Sequence, residues 1–243
     1  MNILTIDMDY IADQYLSSDF GRLLEEKVFG VITEVFWSKV HEMTGIPETE
    51  MQESVDNLRE IFQIFIRYIQ DDSVKVVFGL EHDSILNHIP NQANNINIIN
   101  LDHHHDITYN RPKSDISIAK YGEIGEGDWV YAISSRVSSY IWVSNKTSET
   151  LRHITPEELG FQMYSQYYSL NDVPTYLMPE KVDLIYVCLS PTYFHRKYWH
   201  YFWMLKDIYE SITNNTLELD TTRPRDINQI KDYTNWRHYG SNK

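Results

Sequence analysis

The sequence predicts an α/β domain built on a mainly parallel sheet, and three observations carry that prediction. Short apolar runs at 74–79, 96–101 and 182–189 have the length of buried strands. Around them lie segments whose apolar residues recur at helical spacing, so that strand, helix and strand follow in the order of a βαβ unit with parallel strands. Two strand-like segments, at 4–10 and 98–106, end in runs of metal-ligand residues. Parallel sheets bind their ligands at the carboxyl ends of the strands.

The elements follow from the N-terminus. A first strand covers Leu4–Tyr10, and Phe20–Met43 reads as largely helical, with Leu23, Leu24, Val28, Val31, Ile32, Val35, Phe36 and Val40 on one side. After a turn at Gly45-Ile46-Pro47, a second amphipathic helix spans Glu48–Gln70. Val74–Gly79 is a strand, Asp83–His88 a short helix stopped by Pro90, and Ile96–Leu101 the next strand. Further on the pattern gives helix for Asp128–Ser135, strand for Tyr140–Val143, helix within Thr155–Tyr168, and a buried strand at Val182–Leu189. An aromatic helix from His195 to Ile212 precedes a polar stretch, Asn214–Lys243, expected to be a loosely held tail. No internal repeat is visible, and one domain over residues 1–243 is expected.

Composition narrows the function classes. With 42% hydrophobic and 23% charged residues in 243, the chain has the make-up of a soluble globular protein. A single cysteine, Cys188, excludes an internal disulfide and a Cys-rich zinc site. No apolar run reaches the roughly 20 residues of a membrane helix, and no basic leader precedes the first strand, so a cytoplasmic location without membrane insertion is expected. A net charge of −14 disfavours nucleic-acid binding, which depends on Lys and Arg releasing counterions from phosphates. A cationic substrate suits it better.

Strand alternation places Asp7 and Asp9 on one face, and Asp102, His104 and Asp106 on one face, provided both segments stay extended. Phe78–Ser84 runs off the end of another strand and adds His82 as a sixth candidate. Six carboxylate and imidazole candidates without a thiolate exceed the needs of one ion, which points to a two-metal hydrolase. His103 and His105 alternate away, as supporting or packing residues, and Glu81 is placed to orient a ligand imidazole.

These segments resemble the arginase or ureohydrolase superfamily. Its Gly-Gly-Asp-His-Ser-like segment is matched by Gly79–Ser84, its Asp-x-His-x-Asp by Asp102–Asp106 and its Asp-x-Asp by Asp7–Asp9. The match is closest to a divergent branch that includes peptide arginases of ribosomal-peptide natural-product pathways, where Asp-x-Asp continues into an aromatic residue, here Tyr10. Two departures stand out: the Asp-x-Asp segment comes first rather than last, and Gly-Gly-Asp-His is loosened to Gly79-Leu80-Glu81-His82.

The resemblance implies a three-layer arginase-like fold with the Asp-x-Asp strand permuted to the N-terminus. It implies two Mn²⁺ ions, one on His82, Asp102, Asp106 and Asp7, the other on His104, Asp102, Asp7 and Asp9. Hydroxide generated there would attack a guanidinium carbon, and Asp106 would pass a proton to the leaving amine, giving urea and ornithine from arginine within a peptide. Glu81 and Asp128 stand beside Asp106 as candidate catalytic groups. In arginases a glutamate near a further strand end holds the guanidinium, but the segment that looks equivalent here, Tyr186–Tyr193, has no acid. Glu126 and Asp128, beside Trp129 in a Gly-rich turn, are the substitutes, and Ser190 joins them as a substrate-side candidate.

Other readings compete. An early Asp-x-Asp also suggests a haloacid-dehalogenase-type phosphatase, which would not need the histidines. A DHH phosphoesterase shares the early Asp-x-Asp, Asp102-His103-His104 and two Mn²⁺ ions, but has His where Thr5 stands and leaves His82 and Asp106 unexplained. An amidinohydrolase acting on free arginine or another small guanidino compound, and a binding module with one structural ion, complete the set. The aromatic stretch Tyr193–Trp203, with Tyr164–Tyr168, is a candidate peptide groove around Trp199 and Trp203. The sequence carries no signal for oligomeric state.

Overall fold

The computed structural model describes residues 1–13, 52–107, 127, 129–146, 148, 163–190, 194 and 196–221. In chain order its strands are β1 (Asn2–Asp7), β2 (Ala12–Asp13), β3 (Gln52–Glu53), β4 (Lys75–Gly79), β5 (Ile96–Asp102), β6 (Val137–Ser144), β7 (Met163–Tyr167) and β8 (Leu184–Cys188). Its α-helices are α1 (Val55–Tyr68), α2 (Trp129–Ala132) and α3 (Trp199–Thr213). Six strands form one sheet in the order β4-β8-β1-β5-β6-β7, with every neighbouring pair parallel, and β2 and β3 form a separate antiparallel pair. The molecule is therefore an α/β fold.

The sheet is buried on both faces, as parallel sheets require. On one face Ile61, Ile64 and Phe65 of α1 and Phe202 and Leu205 of α3 pack with Leu4, Ile6, Phe78 and Leu101. On the other, Ile85, Trp129, Val130 and Ile133 pack with Ile3, Ile98, Tyr140, Trp142 and Tyr186. Alternation along β1 thus sends Leu4 and Ile6 one way and Ile3, Thr5 and Asp7 the other. The first described helix after β1 lies on the first face, and the first after β5 lies on the second. β1 and β5 are neighbours, and α/β sheets take ligands at the carboxyl ends of their strands.

Several sequence expectations need correction. β1 stops at Asp7, and Met8–Ile11 is a 3-10 turn rather than a continued strand. The second helix starts at Val55, not Glu48, because Ser54 caps it by accepting the Asn57 N–H at 3.3 Å while Gln52–Glu53 pair with Ala12–Asp13. The expected parallel relation of β4 and β5 is present, with β8 and β1 lying between them. Of Thr155–Tyr168, expected to contain a helix, residues 155–162 lie outside the described residues and Met163–Tyr167 is a strand: pairing with β6 and the stacking of Tyr164 on Tyr140 outweigh a pattern that fits either period. Part of the expected tail is docked. Asp220 donates its N–H to the Phe78 carbonyl at 2.7 Å and accepts from Leu80 N–H at 3.3 Å, along the outer edge of β4.

The helix at 20–43, the turn at 45–47 and residues 222–243 lie outside the described residues. Among the described residues, no helix is long and apolar enough to cross a membrane.

Candidate metal centre

Asp7 and Asp102 each end a strand in the same way. Asp7 Oδ1 accepts the N–H of Asp9 at 3.1 Å, and Asp102 Oδ1 accepts the N–H of His104 at 2.7 Å. A side chain that binds its own backbone two residues on closes a turn in competition with the strand ladder. Asp9 and His104 are therefore brought to the site by turns, not by alternation in an extended chain. The second turn is completed by His105, whose Nδ1 accepts the Ile107 N–H at 3.0 Å, and by Asp106, at φ 51°. That left-handed conformation is uncommon for a residue with a Cβ, and local strain of this kind gathers at functional sites.

With Oδ1 used for the turn, Oδ2 of each aspartate faces His82. His82 Nδ1 lies 3.3 Å from Asp7 Oδ2, 3.2 Å from Asp102 Oδ2 and 2.6 Å from Asp106 Oδ2. On the other side of Asp102, His104 Nδ1 is 2.9 Å from Asp9 Oδ2 and 3.8 Å from Asp102 Oδ1. Two ligand groups result, Asp7–His82–Asp102 and Asp9–Asp102–His104, with donor atoms within 4.8 Å of one another and Asp102 common to both. Asp7, Asp9, His82, Asp102 and Asp106 are buried, while His104 keeps 20% of its side chain exposed.

Electrostatics show what this geometry costs without a cation. Burial and the neighbouring Asp106 and Asp7 push the Asp102 carboxyl up to about 8. Burial raises Asp7, Asp9 and Asp106 as well. Burial works against a charged His104, yet Asp9 and Asp102 carry it up to about 10, and against the same penalty Asp106, Asp102 and Asp7 hold His82 well above its ordinary value. Protons are doing the neutralising here. Two buried atoms, His82 Nδ1 and Asp9 Oδ2, have no hydrogen-bond partner although carboxylate or imidazole atoms crowd them. Close approach without hydrogen-bond geometry is what a set of ligands aimed at a shared ion presents, so these buried Asp and His groups could hold a metal ion.

A second row of residues lies one pleat below the carboxylates. Thr5 is in register with Asn100 on β5 and Tyr186 on β8, and Asn100 with Trp142 on β6. The Thr5 hydroxyl contacts His82 Nε2, Asn100 Nδ2 donates to Asp102 Oδ2 at 3.2 Å, and the Trp142 indole donates to the Asp102 carbonyl at 2.9 Å. The Tyr186 ring stacks at 7° to the His82 ring. The sequence reading missed Thr5 and Asn100. Their signal was a polar side chain two residues before a ligand within an otherwise apolar strand.

The other expected residues fall as follows. Trp129, expected to meet substrate, is fully buried, and its indole N–H donates to Asp106 Oδ2 at 2.7 Å, so it orients that carboxylate. Thr5 contacts His82 Nε2, and the Glu81 carbonyl accepts from Tyr186 Oη at 2.7 Å. Ser190 is buried just past β8 at φ 49°. Glu126 and Asp128 lie outside the described residues.

His103 donates its N–H to Asp9 Oδ1 at 3.2 Å, and His105 packs edge-on to Trp142. Burial lowers both of their imidazoles to about 3. Of the candidate aromatic groove, Tyr167 and Trp199 pack against one core cluster, and Trp203 and Tyr168 are exposed. Phe202 of α3 packs on Phe78 of β4, at the opposite edge of the sheet from Tyr164 on β7.

The chain matches no protein-family model, and no curated protein and no solved structure matches it either.

Proposed function

We propose that this chain is a binuclear manganese hydrolase that converts arginine side chains in a peptide to ornithine with release of urea. The observation that carries the reading is the convergence of His82 on β4's end, Asp7 and Asp9 after β1, and Asp102, His104 and Asp106 after β5, with Asp102 shared by two ligand groups. At least 19 residues separate each of these ligand groups from the next along the chain, yet the resemblance to the arginase superfamily rests on the same three. The DHH alternative leaves His82 and Asp106 without a role, whereas in this geometry they lie 2.6 Å apart within one cluster.

His82, Asp7, Asp102 and Asp106 would hold one ion and His104, Asp9 and Asp102 the other, with Asp7 the second shared ligand that the resemblance implies. When bound, such ions supply Lewis acidity and lower the pKa of water toward neutrality. The chain's own residues supply the rest. Asp106, whose carboxyl burial holds up, is the group assigned to carry a proton to the leaving amine, and Trp129 keeps it oriented. The buried walls around Asp102 would exclude bulk water, and substrate would enter from the side of His104, whose side chain is 20% exposed. Glu126 and Asp128 are the proposed carboxylate partners of the guanidinium.

The test is mass spectrometry after incubating Mn²⁺-loaded protein with arginine-containing peptides, free arginine and a phosphodiester reporter. A loss of about 42 Da per arginine in peptides, the difference left by urea release, is the expected result. Turnover of free arginine alone would move the assignment to a small-molecule amidinohydrolase, and cleavage of the phosphodiester alone to the DHH class.

A further inference from the structure

We infer that Thr5 is a positioning residue for the metal centre: its hydroxyl fixes which ring nitrogen of His82 faces the carboxylates. The His82 ring lies between Tyr186, stacked at a centroid distance of 6.3 Å, and Trp129 at 5.3 Å. Those two contacts fix the plane of the ring but not its direction within the plane. A half-turn about the Cβ–Cγ bond would keep the stacking and replace Nδ1 by a carbon at the point where three carboxylate oxygens meet.

Polar contacts distinguish the two orientations, and with the carboxylates on the Nδ1 side reserved for an ion, the Thr5 hydroxyl at Nε2 is the one that holds the ring. With an ion bound, the hydroxyl would accept from Nε2–H, leaving Nδ1 with its lone pair toward the ion that Asp7, Asp102 and Asp106 share. Thr5 is well suited to this. It is buried on β1 with neighbours fixed in register on both sides, Tyr186 and Asn100, and a β-branched side chain has few rotamers. Its partner is a neutral hydroxyl, although a carboxylate or carbonyl is the usual holder of a metal-ligating imidazole. A site already carrying four aspartates gains nothing from a fifth negative charge.

The inference rests on the metal-centre reading above. The test is Mn²⁺ titration of the full chain, followed by loss of the free-ion EPR signal, for the wild type, Thr5→Val and Thr5→Ser, with metal-free melting recorded for each. Thr5→Val is expected to weaken the tighter site about 10- to 100-fold, the range seen when a group holding a ligand is removed. Thr5→Ser is expected to retain wild-type affinity. Wild-type affinity in Thr5→Val overturns the inference alone, and so does a loss in Thr5→Ser equal to that in Thr5→Val, because the effect would then follow the methyl group. If Thr5→Val does not fold, Thr5→Ala is compared with Thr5→Ser on the same criterion. A wild-type chain that takes up no Mn²⁺ overturns the metal reading itself and the inference with it.

Discussion

At the scale of single residues, the candidate centre is a set of buried acids and imidazoles whose raised proton affinity offsets their crowded charges. Asp102, at about 8 in the fold against about 3.9 in an unfolded chain, binds more protons folded than unfolded between those values, so its contribution to stability falls as pH rises through that range. His82 and His104 are raised too, His104 to about 10; their stabilising share is complete below about 6.5 and is lost as pH climbs toward the folded values. Both effects have one sign. The metal-free protein is therefore expected to melt at progressively lower temperature from pH 6.5 to pH 9, while the rise in melting temperature on adding Mn²⁺ grows over the same interval, because binding must displace those protons. Scanning calorimetry with and without Mn²⁺ checks this, and a Mn²⁺ effect that shrinks with pH would contradict it.

Asp102→Asn should lose at least about 100-fold in metal affinity. The same variant should melt higher than wild type at pH 8 without metal, since it removes a buried charge from a crowded group. Trp129→Phe keeps the ring and deletes the N–H to Asp106. It should weaken Mn²⁺ binding while leaving KM for substrate unchanged, whereas a raised KM alone would return Trp129 to the substrate wall.

At the scale of elements, the site depends on how strands end. Asp7 and Asp102 halt β1 and β5 by side-chain hydrogen bonds, and the polar row Tyr186–Thr5–Asn100–Trp142 supports them from below. Gly79 ends β4 for a different reason. A Cβ there would lie 2.0 Å from Tyr186 Oη and 2.7 Å from its Cζ, and that hydroxyl is already held by the Glu81 carbonyl. Gly79→Ala is expected to cost about 1–3 kcal/mol as overpacking and to weaken metal binding by shifting the Tyr186 ring that stacks on His82. Denaturant melts and Mn²⁺ titration measure the two parts. Gly79→Ala with wild-type stability would show that Tyr186 moves aside freely.

At the scale of the whole molecule, distant segments close around the centre. Glu60 of α1 accepts from Tyr10 Oη at 2.7 Å, from Leu170 N–H at 2.9 Å, from Asn171 Nδ2 at 3.1 Å and from Ser169 Oγ, tying the turn after β1 to the chain that leads into β8. The Tyr10 carbonyl accepts from both Asn57 and Asn145, which anchors the turn that carries Asp9. At the far edge, Asp220 contacts His88 Nε2 while its backbone pairs with β4, so the turn bearing His82 is clamped from outside. A double-mutant cycle with His88→Ala and Asp220→Ala should give a coupling of order 1 kcal/mol; additive effects would show that the contact contributes little.

Much of this was legible in the sequence. The parallel α/β character, the strand positions and the ligand candidates Asp7, Asp9, His82, Asp102, His104 and Asp106 follow from apolar runs and the residues at their ends, because strand burial and metal-ligand chemistry are local properties of residue type. The edges of elements were misread where a side chain competes with the ladder, as at Asp7 and Ser54, or where pairing with a neighbour outweighs spacing, as at Met163–Tyr167. What only the tertiary structure decided is which atoms meet: that β8 and β1 separate β4 from β5, that Trp129 serves Asp106, and that Thr5 holds His82. Those facts depend on strand order and register across the sheet, which bring Thr5 and His82, 77 positions apart, into contact, and no local pattern encodes a neighbour so distant along the chain.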